Sequence, residues 1–291
     1  MYYKSPSYRA AYVLILAFLG LLALICLLPA VHLLAVSLSG KAPAAANLVT
    51  LWPMDFTWAS YQKTLSNENF LRSLWNTAER VLLGVGLGMM LTVVTAYPLS
   101  KDDRIFPQRS RYIWFFVVTM LFSGGLVPTY ILIRMLHLTD TVWALLLPAL
   151  VNVWNILLLL NFFRTLPKEL EEAALMDGAG HWRTLFSVYL PVSLPAIVTL
   201  SLFTMVTHWN SWFDGMIYMK QANWPLATLL QSIIVQVDFT KLAANPAELS
   251  ELSDRSLKAS QIFIGALPVL VLYPFLQRYF VKGVVIGAVK E

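Results

Sequence analysis

Six stretches of the chain run without Asp, Glu, Lys or Arg: Ala10–Gly40, Val81–Ser100, Tyr112–Ile133, Thr141–Phe163, Thr184–Phe213 and Ala259–Gln277. A helix needs about 20 mainly apolar residues to cross a bilayer. The pattern therefore predicts six spans, at residues 12–38, 75–99, 112–134, 142–163, 191–213 and 259–280. Apolar and polar positions do not alternate with the two-residue period of a membrane barrel, so the expected fold class is an all-α polytopic membrane protein. A seventh charge-free stretch, Gln221–Val237, is broken up by Asn223, Pro225, Gln231, Ser232 and Gln236, and reads as an extramembrane or interfacial helix. The first stretch is too long for the apolar region of a signal peptide and shows no small-residue cleavage site, so it reads as a retained helix.

Composition agrees with that pattern. Of 291 residues, 58% are apolar and 13% charged, with a mean hydropathy of +0.66; a soluble domain is roughly 45–50% apolar and about 25% charged. Ordinary cytosolic enzymes, disordered chains and collagen-like chains are excluded. The single cysteine, Cys26, excludes a disulfide framework and a cysteine zinc site. The four histidines are too scattered to be metal ligands. The net charge of +5 reports topology rather than nucleic acid. Six spans place both termini on one side. If that side is cytoplasmic it carries the larger share of the 21 Lys and Arg residues, as expected of inner loops, with the Lys101–Arg111 loop contributing most. No repeat, low-complexity tract or linker divides the chain, so residues 1–291 read as one transmembrane domain, with outer loops at 39–72 and 214–258 and an inner loop at 164–190. The first outer loop, with Pro43 and Pro53, suits a small irregular cap.

The inner loop is the most informative. Pro167 with Glu169, Glu171 and Glu172 is an ordinary helix opening, proline near the first turn and acids at the positive end of the dipole. Gly178 and Gly180 allow a tight turn. Trp182, Leu185, Phe186 and Tyr189 then fall at helical spacing, and Pro191 and Pro195 end that helix or begin the next span. The predicted unit is a helix, a glycine turn and a second helix along the membrane face. Small Ala173 and Ala174 would let a partner approach closely, and the acids would suit its basic residues. A solvated amphipathic loop has the same local pattern.

Glu172-Ala173-Ala174, Asp177-Gly178-Ala179, Phe186, Leu190-Pro191 and Pro195, at this spacing, resemble the Glu-Ala-Ala loop of ABC-importer permeases. The likeness extends to Asn76-Thr77, Ala96-Tyr97-Pro98-Leu99-Ser100, Gln277–Gly283 and Gly287–Glu291, which resemble the MalG-like carbohydrate branch. Ser123–Tyr130 and Trp209–Asp214 resemble its sub-branch for complex or acidic oligosaccharides such as aldouronate or alginate. Tyr189 departs from the pattern, since many members have an aliphatic residue there. The resemblance implies a type I importer permease fold in a bacterial inner membrane, with both termini cytoplasmic. It also implies a second homologous permease, two cytoplasmic ATPase copies carrying ATP-Mg, an extracytoplasmic sugar-binding protein and an oligosaccharide substrate. No cofactor or nucleic acid is implied for this chain. Glu172, Ala173, Ala174, Asp177, Gly178, Ala179, Phe186 and Pro191 would couple to the ATPase. The loop Asp238–Glu248 would sit where such permeases can reach into the binding protein.

The chain has no phosphate-binding loop, so ATP must be hydrolysed by another polypeptide. It has no catalytic or metal-binding constellation, so it is not an enzyme. Gly84 and Gly88 lie at the spacing of close helix packing. For a sugar path, aromatics interleaved with amides or acids are wanted. Trp209, Asn210, Trp212 and Asp214 have that composition, and Asn152 is a weaker candidate. Interfacial Trp and Tyr belts are the stronger account of the aromatics, with subunit contact a third use, and helix–helix hydrogen bonding is the stronger account of Asn152 and Asn155. Glu79 and Arg80 read as a helix start at a membrane boundary, and His137 and Asp140 as plain loop residues. The rival functions are an importer permease for a non-sugar solute and a standalone secondary transporter. The latter more readily shows ionisable residues deep in its spans.

Overall fold

The structure, a computed structural model, describes residues 6–240 and 255–288. Among these the regular structure is helical, with no strand. Two compact units share the chain, Met1–Leu71 with Ser232–Leu267, and Arg72–Gln231 with Pro268–Glu291.

The first unit begins with α1, Pro6–Ser37. Its apolar window has a mean hydropathy of 2.9 and none of it is buried within the chain; only its last turn, Ala35–Ser37, is covered. A helix that is apolar all round needs hydrocarbon or another protein against it. The short helices α2 (Lys41–Ala45) and α3 (Ala59–Leu65) follow. They form the small irregular structure expected of residues 39–72. Ala35, Val36, Ala44, Val49 and Ala259 share a small core. Polar links fasten it: Ser39 donates to the Ala35 carbonyl at 2.6 Å and accepts from the Met54 N–H at 3.0 Å, and the hydroxyls of Thr64 and Ser260 meet at 2.8 Å.

The remaining helices are α4 (Glu68–Ser100), α5 (Arg109–Leu121), α6 (Leu126–Met135), α7 (Val142–Leu146), α8 (Val153–Thr165), α9 (Lys168–Met176), α10 (His181–Thr184), α11 (Leu190–Val192), α12 (Leu194–Asn210), α13 (Phe213–Tyr218), α14 (Leu226–Thr240) and α15 (Arg255–Ala288). Within the second unit, Met89, Val93, Ala96, Tyr97 and Leu99 of α4 pack with Ile156, Leu159, Leu160 and Phe163 of α8. Leu185, Tyr189 and Leu200 complete this core. Lipid is as apolar as these side chains, so close van der Waals packing and interhelical hydrogen bonds hold such a bundle. One is Asn155 Nδ2 donating to Thr204 Oγ1 at 3.0 Å.

Three helices, α1, α4 and Arg255–Leu272, are long and apolar enough to cross a membrane. The described residues supply six spans if each of three bent pairs counts as one. The pairs are α5 with α6 (107°), α7 and its 3₁₀ extension with α8 (50°), and α10–α11 with α12 (80°). Each bend has a local cause. Phe122 is extended and Gly125 has φ 84°. Asn152 is extended and caps α8 by accepting from the Asn155 N–H at 3.1 Å. Ser193 leaves helical geometry ahead of Pro195. The apolar run continues across the first two breaks, which hides them from hydropathy.

One expectation is corrected. The helix holding Arg80 starts at Glu68, where Asn67 Oδ1 accepts from the Phe70 N–H at 3.1 Å. Arg80 is therefore interior to a helix, not at its start. His137 and Asp140 lie, as expected, in the connection between α6 and α7, where both adopt left-handed backbone, φ 55° and 63°. His137 ends α6, its N–H bonding to Arg134 and the next N–H to Ile133, both at 3.1 Å. This is the Schellman arrangement.

Candidate functional site

The loop after α8 folds as a helix, a turn and a second helical segment. Helix α9 opens with Glu169 and Glu171 in its first turn, where acids favour the dipole. It closes on Gly178, φ 75°. The Gly178 N–H bonds to Leu175 at 3.0 Å and the Ala179 N–H to Ala174 at 2.9 Å. Gly178 thus occupies the left-handed position of a Schellman motif, and Ala174 and Ala179 are the two ends of its longer bond. The spacing from Glu172-Ala173-Ala174 to Asp177-Gly178-Ala179 has this local physical basis. Glu172, Ala173, Asp177 and Gly178 are exposed. So are Met176 and Trp182, and Phe186, which stacks on Trp182 with centroids 6.2 Å apart. Pro191 is exposed at α11. The face joins acids, small residues and uncovered apolar side chains.

Behind this face lies a buried network that sequence reasoning missed. Lys101, 5% exposed, follows the last turn of α4. Its Nζ donates to Glu171 Oε1 at 2.7 Å and to Tyr189 Oη at 3.0 Å. Tyr189 Oη donates to Glu171 Oε2 at 2.7 Å. The ammonium also stands 3.9 Å and 4.1 Å from the ring centres of Tyr97 and Tyr189, so cation–π attraction adds to the ion pair. Burial lowers the Lys101 pKa, against the pull of Glu171. Burial first, and then the Glu171 carboxylate, raises that of the Tyr189 hydroxyl. Tyr189 sits on the π-helical segment Leu185–Tyr189; such segments are frequent at functional sites. The one signal in the sequence was that Tyr189 stands where an aliphatic residue is usual. A cavity of about 440 Å³ opens beside the network, lined by Lys101, Arg109, Arg164, Lys168, Glu171 and Glu172 among others.

The candidate sugar-path residues lie at the junction of α12 and α13 and, for Asn152, at the cap of α8. Asp214 is held in a partly buried ion pair, its own side chain 24% exposed. Arg80, 1% exposed, contacts both carboxylate oxygens and donates to the Ser211 carbonyl at 3.2 Å. Ser211 Oγ and the Gly215 N–H each donate to Asp214 Oδ1 at 2.9 Å. Buried charge is costly unless so paired. Asn152 caps α8, as above. Trp209 is half-buried, while Asn210 and Trp212 are exposed. His208 is buried against Gly84, where an added Cβ would come within 2.5 Å of Nε2; the close packing expected of Gly84 is real. Among the described residues no group of His, Cys, Asp or Glu could hold a metal ion.

A family model for the binding-protein-dependent transport system inner membrane component matches residues 84–286. The chain is 36% identical to the polygalacturonan/rhamnogalacturonan transport system permease protein YtcP of Bacillus subtilis (strain 168) over 95% of its length and 97% of the relative's. The chain belongs to the binding-protein-dependent transport permease family. It is therefore a membrane transport subunit without catalysis of its own, the ATPase being a separate chain. The Glu-Ala-Ala loop is typical of this family. The permease also superposes on a solved bacterial ABC transporter involved in import of the acidic polysaccharide alginate, with TM-score 0.85 and 29% identity over 96% of this chain and 100% of that one. A chain of a bacterial alginate ABC transporter, solved in complex with an alginate pentasaccharide-bound periplasmic protein, shares the fold at TM-score 0.57 and 15% identity, covering 94% and 96%. Most of the expected Asp238–Glu248 loop lies outside the described residues.

Proposed function

We propose that this permease imports an oligosaccharide, of complex or acidic type, by pairing with a second homologous permease. Two ATPase copies with ATP-Mg dock on the loop 164–190, and an extracytoplasmic binding protein delivers the sugar. The reading is carried by the exposed face of α9: Glu172, Ala173 and Asp177 are presented to solvent and ended by Gly178 in left-handed backbone. The acids offer charge to a basic cleft, the alanines allow close approach, and the rigid turn fixes Phe186 and Trp182 beside them. Closure of the ATPase pair pushes on this face and switches the permease pair between inward-facing and outward-facing states. The coupling is the difference in ATPase affinity between those states.

Orientation follows from α4. Arg80 and Lys101 are separated by about 30 Å at 1.5 Å per helical residue, close to the hydrocarbon thickness. With loop 164–190 and both termini inside, Arg80, Asp214, Asn210 and Trp212 fall towards the outer face. An acidic sugar is supported by the alginate and polygalacturonan names of the relatives. It is also supported by charge: Arg80 neutralises Asp214, so Asn210 and Trp212 can offer an amide and an aromatic face without a free carboxylate to repel an anion.

The test is reconstitution of the native complex in liposomes with its loaded binding protein. Uptake of an acidic oligosaccharide should need ATP, and Gly178→Val or Glu172→Lys should abolish it while the protein still inserts. Normal uptake by both variants, or uptake driven by an ion gradient alone, would overturn the reading.

A further inference from the structure

Glu171 lies beside the exposed Glu-Ala-Ala face but does not belong to it. Its two carboxylate oxygens are taken by Lys101 and by Tyr189, which also bond to each other. The triangle joins three separate pieces of chain: the end of α4, the first turns of α9 and the π-helical segment before α12. Three further links hold the end of α4 and the residues just after it, one each from α9, α8 and α5. Lys168 Nζ bonds to Asp102 at 2.8 Å, Arg164 donates to the Leu99 carbonyl at 3.3 Å, and Arg109 donates to the Lys101 carbonyl at 2.6 Å. Lys168 and Asp102 are exposed, where an ion pair contributes little. Lys101 and Glu171 are 5% and 13% exposed, so water screens their pair far less.

The hydrogen-bond geometry matters as much as the charge. Lys101 is compact and flexible, yet here its ammonium is confined between two tyrosine rings and bonded to two oxygens. Tyr97 and Tyr189 meet edge to face at 5.0 Å, and Phe163 of α8 meets Tyr189 at 5.3 Å. A displacement of α9 cannot leave the end of α4 behind without exposing an unpaired buried charge. Such a separation is strongly opposed.

We propose that Lys101 and Tyr189 are positioning residues that yoke α9 to α4, so that the movement imposed on the Glu-Ala-Ala face is transmitted to α4 through Glu171. The proposal rests on the coupling reading above and assigns the contact through which that coupling passes. Glu171 is thereby separated in role from Glu172: the former holds the loop to the permease core, the latter faces the ATPase.

The experiment uses the full complex in liposomes, with three readouts: ATPase co-purification, melting temperature, and sugar uptake per ATP hydrolysed. Lys101→Met leaves Glu171 buried without its cation and should lower both melting temperature and uptake per ATP. Tyr189→Phe removes one hydroxyl and keeps the ring, and should lower uptake per ATP with little change in melting. The deciding variant is Lys101→Met with Glu171→Met. It removes both charges, so stability and ATPase co-purification should return, while uptake per ATP stays down by about tenfold, the scale of a lost charge-assisted hydrogen bond. Recovery of uptake together with stability in the double variant would overturn the proposal and leave the network a structural one. Loss of ATPase co-purification in Tyr189→Phe would overturn it too, since that would place the residue at the docking surface. Failure of the unsubstituted complex to couple ATP to uptake would instead overturn the function proposed above, a separate and distinguishable result.

Discussion

Arg80 on α4 and Asp214 on α13, 134 residues apart in sequence, form a partly buried ion pair that Ser211 and the Gly215 N–H complete. The Arg80 side chain is 2% exposed and that of Asp214 24%, so removal of either leaves the other uncompensated. We expect Arg80→Met or Asp214→Leu to destabilise the permease by about 3–5 kcal/mol, and the double substitution to recover most of that loss. Melting of the detergent-solubilised protein measures both. Additive losses in the double variant would show that the two residues do not act as a pair.

Gly84 and Gly86 lie on one helix with opposite demands. A Cβ on Gly84 would meet His208 Nε2 at 2.5 Å, whereas one on Gly86 meets nothing within 4 Å. His208 is buried, 3% exposed, so it has little room to retreat. Gly84→Ala should therefore cost about 1–3 kcal/mol by overpacking. Gly86→Ala should be neutral or stabilising by about 0.5–1 kcal/mol, the usual gain of alanine over glycine in a helix. Adding His208→Ala to Gly84→Ala should relieve the strain. Equal melting temperatures for the two single variants would contradict the packing.

How far the fold could be read from the sequence depended on how local its cause was. The turn after α9 was legible because Asp177-Gly178-Ala179 follows a helix-forming run, and left-handed backbone favours glycine. The long apolar helices were legible from hydropathy alone. The bends at Phe122–Gly125 and Asn152 were not, because apolar residues continue on both sides and each break depends on one or two local backbone conformations. The ion pair of Asp214 was not legible, since its partner Arg80 comes from a distant helix. Tyr189 was noticed only as an unusual residue. Its meaning lies in Lys101 and Glu171, which no spacing rule brings to it.

Asp140 should make stability depend on acid. Burial pulls its carboxyl pKa upward, but donation from the Lys220 N–H at 3.0 Å and the Asn223 amide at 3.1 Å, with the Lys220 charge, outweighs this and holds the pKa below its ordinary value. A depressed carboxyl pKa stabilises the folded state above the ordinary value, near pH 4, and the benefit is lost as pH falls through the folded-state pKa. Asp140→Asn retains a residue that tolerates the left-handed backbone. The difference in stability between the two proteins should be below about 1 kcal/mol, constant near neutral pH, and should vanish on acidification below pH 4. A difference that persists at lower pH would place its origin in the backbone rather than in the charge.

Asn210 and Trp212 should govern which sugar is carried. Asn210 is the last residue of α12 and is exposed; Trp212 is exposed too, with its carbonyl held by Thr228 Oγ1 at 2.7 Å. That backbone bond survives side-chain substitution, so Trp212→Ala should remove the indole without dismantling the turn. Aromatic faces bind the C–H surfaces of sugars, and amides bind hydroxyls. Loss of one large aromatic contact should lower transport of the preferred oligosaccharide by about tenfold, with Trp212→Phe retaining most of it. Asn210→Ala should change the range of sugars that stimulate ATP hydrolysis. An interfacial belt would behave differently, because a tryptophan anchored in headgroups affects insertion and melting but not selectivity. The measurement is therefore stimulated ATPase activity with a series of oligosaccharides of different length and charge, at matched protein insertion. Unchanged rates and unchanged sugar range in both alanine variants would assign these residues to the membrane interface and move the sugar path elsewhere in the permease.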